Sequence, residues 1–394
     1  MERIGIYGGT FNPPHWGHIR GARFAKEALR LDRVLMLPDN AAPHKAVPQD
    51  SPTPRQRLEM LRLGLDSQWG IEPSALSLER QGISYAYQTV EQVRGLYPDA
   101  ELWFLMGSDM LASFASWKEP ERILSQCALA VFCRGDKGEQ ESIAQAVAEL
   151  KPMGAKIALL DNPVTAISST QLRRMLVMQC AGEFLPPAVL DYIRANGLYG
   201  TGKDYRGLSL EELEKTVVSL LKPNRVQHVL GCRQAAVELA RLYGADETDA
   251  ARAALLHDIT KSLDGPLQLT LCREYGTILD TFSSHNPKTL HALTGSLVAE
   301  RIFGENAAVV EAIRSHTTGK ADMNLLQKII YVADYMEPNR DFPGVEQLRS
   351  LAYTDITAAL KLGLEMTLAM LRQQGREISP ESQQALAYLE TCGV

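Results

Sequence analysis

Hydrophobic positions follow two rhythms along this 394-residue chain, and the change of rhythm divides it. In the first half short apolar runs recur: RIGIYGG at 3–9, RVLMLP at 33–38, LWFLMG at 102–107, ALAVFC at 128–133 and KIALLD at 156–161. Amphipathic stretches such as IRGARFAKEAL (19–29) lie between them. Strand-length apolar runs alternating with a helical period predict βα units around a parallel sheet. LPPAVLDYIRANGLYG (185–200) predicts a closing helix stopped at Gly197. GTGKDYRG (200–207), rich in glycine and charge and without a hydrophobic period, reads as a linker.

Beyond it the period is helical throughout. LSLEELEKTVVSLL (208–221), VQHVLGCRQAAVELARLYG (226–244), DAARAALLHDITKSL (249–263), TLHALTGSLVAERIFG (289–304), LLQKIIYVADYM (325–336) and ITAALKLGLEMTLAMLRQQG (356–375) each predict a helix, with no competing strand. The expectation is an α/β domain over residues 1–202 and an all-α domain over 203–394. Composition changes this little: 45% hydrophobic and 22% charged residues describe a globular chain. A net charge of −6 gives no basic footprint for a nucleic-acid polymer. Six cysteines without a CxxC pair read as reduced thiols. No basic-then-apolar leader opens the chain, and no apolar run reaches the ~18 residues of a membrane helix, so the expected place is the cytoplasm, with no membrane partner. An oligomer is compatible with all of this.

Chemistry enters through histidine, which is scarce. Of eight, His15, His18 and His44 lie near the start, His228, His257, His291 and His316 in the second half, and His285 stands apart in a polar segment. In GGTFNPPHWGHI (8–19), Gly8 and Gly9 suit a tight turn, Pro13 and Pro14 delay the helix, and His15 and His18 fall at its start. Imidazoles beside a helix N-terminus make an anion site. ISSTQLRR (167–174) reads as a second helix start, capped by Ser168, Ser169 or Thr170, with Arg173 and Arg174 on its first turn, a pair suited to a polyphosphate.

With these motifs, PHK at 43–45, LWFLMGSDMLASFASWKE at 102–119 and the LPPAVLDYIRANGLY ending, residues 1–199 resemble the bacterial nicotinate-nucleotide adenylyltransferases of the HxGH nucleotidyltransferase superfamily. The resemblance implies a Rossmann-like domain that joins the adenylyl group of ATP to nicotinate mononucleotide, with Mg2+ on the phosphates. It implies that Gly8, Gly9, Thr10, Phe11 and Ser168 line the nucleotide site and that His15 and His18 hold ATP phosphates, His18 on the α-phosphate. Arg173, with the backbone of Ser169 and Thr170, would hold the leaving phosphates, and Lys45 would anchor another. Gly107 and Asp109 would meet the ATP ribose and Trp117 would stack on the pyridine. Where the family commonly has threonine after Ser-Tyr, this chain has Ala86, near the pyridine substituent, and nicotinamide mononucleotide is the alternative acceptor.

In the second half the pair His257-Asp258 lies in a helical pattern, where adjacent side chains diverge by about 100° and can grip two sides of a metal centre. His228, His291, His316 and Asp334 sit on or beside other predicted helices. Mixed imidazole and carboxylate donors suit iron, manganese or zinc. The order H…HD…H…H…D, with LLHDITKSL, HALTG, SHTTGKADM and IIYVADYMEPNRDFPGVEQLR, resembles the HD-domain metallophosphohydrolases and, within them, the YqeK-type symmetrical bis(5'-nucleosyl)-tetraphosphatases, over residues 205–394. That resemblance implies two iron, manganese or other divalent ions and cleavage of diadenosine tetraphosphate into two ADP. His228, His257 and Asp334 would ligate one metal, His291 and His316 the other, and Asp258 would bridge them. Lys261 would serve substrate phosphate or the leaving group; Thr317, Thr318 and Arg340 fall in the matching motifs. Another nucleotide as substrate, or a nucleotide-sensing role, are the alternatives for this half.

Overall fold

The structure, a computed structural model, describes residues 1–40, 51–80, 82–133, 135, 138–163 and 167–393. His44 and Lys45 lie outside them. The chain forms two compact units, Met1–Lys203 and Asp204–Val394.

The first unit is built on six parallel strands: β1 (Arg3–Gly9), β2 (Arg33–Pro38), β3 (Ile71–Pro73), β4 (Glu101–Gly107), β5 (Cys127–Phe132) and β6 (Ile157–Leu160), in spatial order β3-β2-β1-β4-β5-β6. Helices cover both faces. Ile4, Ile6, Phe104, Leu129 and Val131 belong to one core, and Val34, Met36, Leu105 and Ala130 to the other. Strands buried on both sides explain the unbroken apolar runs. The sheet is the predicted parallel one, and β3 is added to it; only Ile71 of its three residues is buried, too short a signal to read. Strand order reverses between β1 and β4, and the crevice beyond their carboxyl ends is where such sheets bind ligands.

The turn after β1 differs from expectation. Gly8 and Gly9 are still strand, paired with Leu37 and Pro38. The left-handed residue is Phe11, at φ 46°. Gly9 is needed for packing instead, because a Cβ there would stand 3.3 Å from the Phe11 ring. Beneath this turn Arg57, 1% exposed, donates to Thr10 O (2.5 Å), Asp39 O (2.7 Å) and Asp39 Oδ1 (3.2 Å), while Thr10 Oγ1 donates to Asp39 Oδ2 (2.9 Å).

The second unit is helical. The Pro223–Tyr243 helix packs along Glu247–Leu256 and Leu325–Met336, and Ala307–Ser315 packs on Leu290–Val298 and Leu325–Met336. Helices at Gly265–Glu274, Thr281–His285, Ala307–Ser315, Val345–Ala352 and Pro380–Thr391 join those read from the period. One expectation is corrected: His257-Asp258 does not lie inside a helix. The helix ends at Leu256 and residues 257–262 form tight turns, with Ile259 N bonded to Leu256 O (3.1 Å) and Lys261 N to Asp258 O (2.9 Å). Asp258 therefore leaves the helix axis and enters the space between the neighbouring helices.

All four tryptophans lie between residues 16 and 117, so indole fluorescence reports the first unit. Arg57→Met removes the buried partner of Asp39 and leaves the Thr10 and Asp39 carbonyls without their donor, a change that costs about 1–3 kcal/mol. The fluorescence-detected urea transition should move to clearly lower denaturant; an unmoved fluorescence transition would contradict this reading.

Candidate active sites

In the first unit His15 is the N-cap of the Trp16–Ala28 helix. Its Nδ1 accepts from Gly17 N (3.1 Å), and His18 Nδ1 accepts from His15 N (3.3 Å), a capping box made from two imidazoles. Their rings stand 3.8 Å apart, and Phe11 packs edge-on against His18. A neutral imidazole whose Nδ1 accepts must carry its proton on Nε2. Both Nε2 atoms are thus N–H donors.

The second motif meets the first. Ser168 caps the Ser169–Val177 helix in a box with Gln171. Arg173 lies one turn further in than the sequence suggested, as the fifth helical residue. From there its Nη1 donates to Asn12 O (2.9 Å) and its Nη2 to Thr170 Oγ1 (3.0 Å). Tyr199 donates to Asn12 Oδ1 (2.7 Å), so the Asn12 turn is held from both sides. The expected arginine pair divides: Arg174 is 7% exposed on the inner face of the helix, and only Arg173 faces the HxGH turn. Adjacent helical residues diverge, and one of the two must point to the core.

Gly107 ends β4 and Asp109, exposed, opens the short Ser108–Leu111 helix, directly across the strand-order reversal from the His15 turn. Trp117 is half-buried, packed on Phe114 (5.0 Å) and Phe104 (6.0 Å), with Nε1 donating to Ser113 Oγ (3.3 Å). Ala86 begins the Ala86–Leu96 helix, with Tyr85 as its N-cap.

In the second unit all six expected ligands meet. Asp258 is 1% exposed, and its two oxygens face different partners. Oδ2 lies 3.6 Å from His228 Nε2 and 3.6 Å from His257 Nε2; Oδ1 lies 3.5 Å from His291 Nε2 and 3.9 Å from His316 Nε2. Asp334 Oδ1 is 3.2 Å from His228 Nε2. The donors of His228, His257 and Asp334 lie within 4.8 Å of one another, as do those of His257, Asp258 and His316. The opposite ring nitrogens are fixed: Nδ1 of His257 meets Ala254 O (2.6 Å), that of His291 meets Lys288 O (3.0 Å), and that of His316 meets Ile313 O (2.6 Å). His228 Nδ1 meets Glu337 Oε1 (3.1 Å). An N–H spent on an oxygen leaves the Nε2 lone pair facing inward, as metal ligands require. The donor set fits divalent metal ions of the iron, manganese or zinc kind.

Lys261 Nζ stands 2.8 Å from His291 Nε2 and 3.8 Å from Asp258 Oδ1. Thr317 Oγ1 lies between His291 Nε2 (3.0 Å) and His316 Nε2 (3.1 Å). Thr318 bonds Glu381 (2.7 Å), away from the ligands. Two neighbours had no sequence signal of their own: Glu337, 1% exposed behind His228, and Arg225, paired with Asp258 Oδ2.

The Cytidylyltransferase-like family matches residues 6–175, and the HD domain family residues 225–339. A probable nicotinate-nucleotide adenylyltransferase of Dictyoglomus thermophilum is 35% identical over 198 residues, 50% of this chain and 99% of the relative. A symmetrical bis(5'-nucleosyl)-tetraphosphatase of Halalkalibacterium halodurans is 41% identical over 170 residues, 42% of this chain and 90% of the relative. That of Bacillus subtilis is 37% identical over 179 residues, 44% and 94%. The chain belongs to both families. It is a fusion, with nucleotidyltransferase and hydrolase activities in one polypeptide.

The hydrolase family's ligand pocket carries its own electrostatics. Burial pushes His257 and His291 well below the ordinary imidazole value of 6.5, and His316 down to about 4, so all three are neutral imidazoles near pH 7. Burial opposes the charge of Asp334, but its contact with His228 and the charge of Arg340 hold it well below the usual carboxylate range. Burial lowers Lys261 to about 8.

A lowered imidazole value means that the unfolded chain takes up the proton first, so stability is whole above 6.5 and is lost as pH falls towards 4. For His316 alone the loss by pH 5 is about 2 kcal/mol. Urea unfolding of the chelator-treated protein, followed by far-UV circular dichroism, should show the helical unit weakening over that range, less so in His316→Gln. Equal slopes in the two proteins would contradict the assignment.

Proposed function

We propose that the chain is two enzymes in series, divided at residues 202 and 203. The first transfers the adenylyl group of ATP to nicotinate mononucleotide, giving deamido-NAD and pyrophosphate; the second hydrolyses diadenosine tetraphosphate to two ADP. The observation that carries the first is the Arg173 bond to Asn12 O, which joins two motifs 161 residues apart beside the point of strand reversal. For the second it is Asp258, with each oxygen facing its own pair of imidazoles.

In the transferase an oxygen of the nicotinate mononucleotide phosphate attacks the α-phosphorus of ATP, and the bond from that phosphorus to the bridging oxygen breaks. The nucleophile is already an anion, so the protein's task is alignment and charge neutralisation. His15 and His18 donate from Nε2 without changing protonation, His18 to the α-phosphate. Arg173 spans the β and γ phosphates as they depart, with the Ser169 and Thr170 backbone. Asp109 holds the ribose, Trp117 stacks on the pyridine, and Gly8, Gly9, Thr10, Phe11 and Ser168 shape the nucleotide site. Mg2+ arrives with the nucleotide.

In the hydrolase His228, His257 and Asp334 would hold one divalent ion, His291 and His316 the other, and Asp258 both; the pair would acidify a water and neutralise phosphate charge. The water oxygen bonds to one of the two central phosphorus atoms, and the central bridging oxygen leaves with the second ADP. Lys261, mostly charged at neutral pH, would steady that oxygen. Carbonyl-bonded Nδ1 atoms keep the imidazoles aimed while charge shifts in front of them.

The test is one purified protein in two assays: ATP with nicotinate or nicotinamide mononucleotide, and diadenosine tetraphosphate with Fe2+ or Mn2+. His18→Ala should lower adenylyl transfer by about 10²–10³ and spare the hydrolysis, as loss of one transition-state donor does. Asp258→Ala should abolish hydrolysis and spare the transfer. Loss of both activities in either variant would overturn the two-site reading, and retention of both would discard the assigned residues.

A further inference from the structure

Arg225 occupies a position that its own helix does not explain. It is the third residue of the Pro223–Tyr243 helix, near the end where the backbone dipole disfavours a cation. Its guanidinium reaches inward to Asp258 Oδ2, the oxygen turned towards His228 and His257. About a quarter of the side chain is exposed, 26%, whereas Asp258 is closed off at 2%. The buried Nε–H meets no acceptor among the described residues. The guanidinium is therefore held by one carboxylate oxygen and has donor capacity to spare.

A second cation repeats the arrangement. Arg340 Nη2 is 2.5 Å from Asp334 Oδ1 and its Nε is 2.9 Å from Asp334 O. Asp258 Oδ2 and Asp334 Oδ1 are the two carboxylate oxygens on the His228–His257 side of the pocket. Burial lowers Arg225, Asp334 opposes that, and the Arg340 charge adds to it. Two guanidinium groups on neighbouring oxygens repel each other, and only anions between them make the pair stable. If those oxygens ligate a metal, Arg225 loses its anion, and Arg340 is left with the Asp334 carbonyl (2.9 Å) and Glu337 Oε1 at 4.0 Å.

We propose that Arg225 is a phosphate-binding residue of the hydrolase that alternates between two anions, pairing with Asp258 when the His228–His257–Asp334 site lacks metal and turning, together with Arg340, to the substrate's polyphosphate when the metal takes that oxygen. This rests on the dinuclear reading above. The exchange keeps the pocket near charge balance in both states, since the cation displaced by the metal is met by the anion that the reaction brings. It also makes the guanidinium a competitor of the metal and a partner of the substrate, two effects of opposite sign.

That opposition gives the test. In the full-length protein without nucleotide, Mn2+ binding is titrated by the electron paramagnetic resonance of the free ion, and at saturating Mn2+ the KM for diadenosine tetraphosphate and the Ki of ADP against its hydrolysis are measured. Arg225→Gln should bind Mn2+ more tightly, by about threefold or more, and raise KM and Ki by about tenfold, the loss of a charge-assisted bond to phosphate. Arg225→Lys, which keeps the charge without the fork, should leave Mn2+ affinity near the parent's and raise KM less. Weaker Mn2+ binding in Arg225→Gln, or an unchanged KM and Ki, would overturn the proposal and leave Arg225 as a support for Asp258. A parent protein that failed to bind two Mn2+ ions would instead sink the dinuclear reading itself.

Discussion

Asp258 has to keep a charge where water does not reach. Its carboxyl is 1% exposed, and an uncompensated carboxylate in such a place costs several kcal/mol. The surrounding imidazoles cannot neutralise it by protonation, because burial lowers His257, His291 and His316 far below neutral pH. Compensation must come from cations, and the pocket offers Arg225, Lys261 and room among the donors for metal. Much of the helical unit follows from that requirement. The helix before His257 stops early so that Asp258 can enter the centre, and four other segments bring donors to meet it.

The two sites use the same side chain in opposite forms. In the transferase the Nδ1 atoms of His15 and His18 accept backbone N–H groups, so the outer nitrogens carry hydrogen and suit phosphate oxygens. In the hydrolase the Nδ1 atoms of His257, His291 and His316 face carbonyl oxygens, so the outer nitrogens present lone pairs and suit metal. The backbone group behind each ring decides which. A helix N-terminus, with its unused N–H groups, yields donors; carbonyls three residues back in a turn yield ligands.

The legible part of the sequence was what repeats. Long apolar runs and helical periods marked five of six strands and the main helices, because burial on both sheet faces or on one helix stripe leaves a period behind. The six candidate ligands were legible as an order of residue types, and the structure brings all six side chains together. The short β3, the role of Phe11 in the turn and the burial of Arg174 were not, since each depends on contacts distant in sequence. Arg57, Glu337 and Arg225 escaped for the same reason: a lone charged residue in a helical stretch looks solvated until its partners, such as Asp39 or Asp258, are seen. The break after Leu256 was hidden because LLHDITKSL keeps a helical period through a turn.

The proposed hydrolase site depends on Asp258 serving two metal ions. The most direct measurement is the low-temperature electron paramagnetic resonance spectrum of the full-length protein loaded with Mn2+, with the bound metal counted per chain. Two ions joined through Asp258 should give an exchange-coupled spectrum that becomes that of isolated Mn2+ in Asp258→Ala. A single ion per chain, or two ions with uncoupled spectra in the unaltered protein, would contradict it.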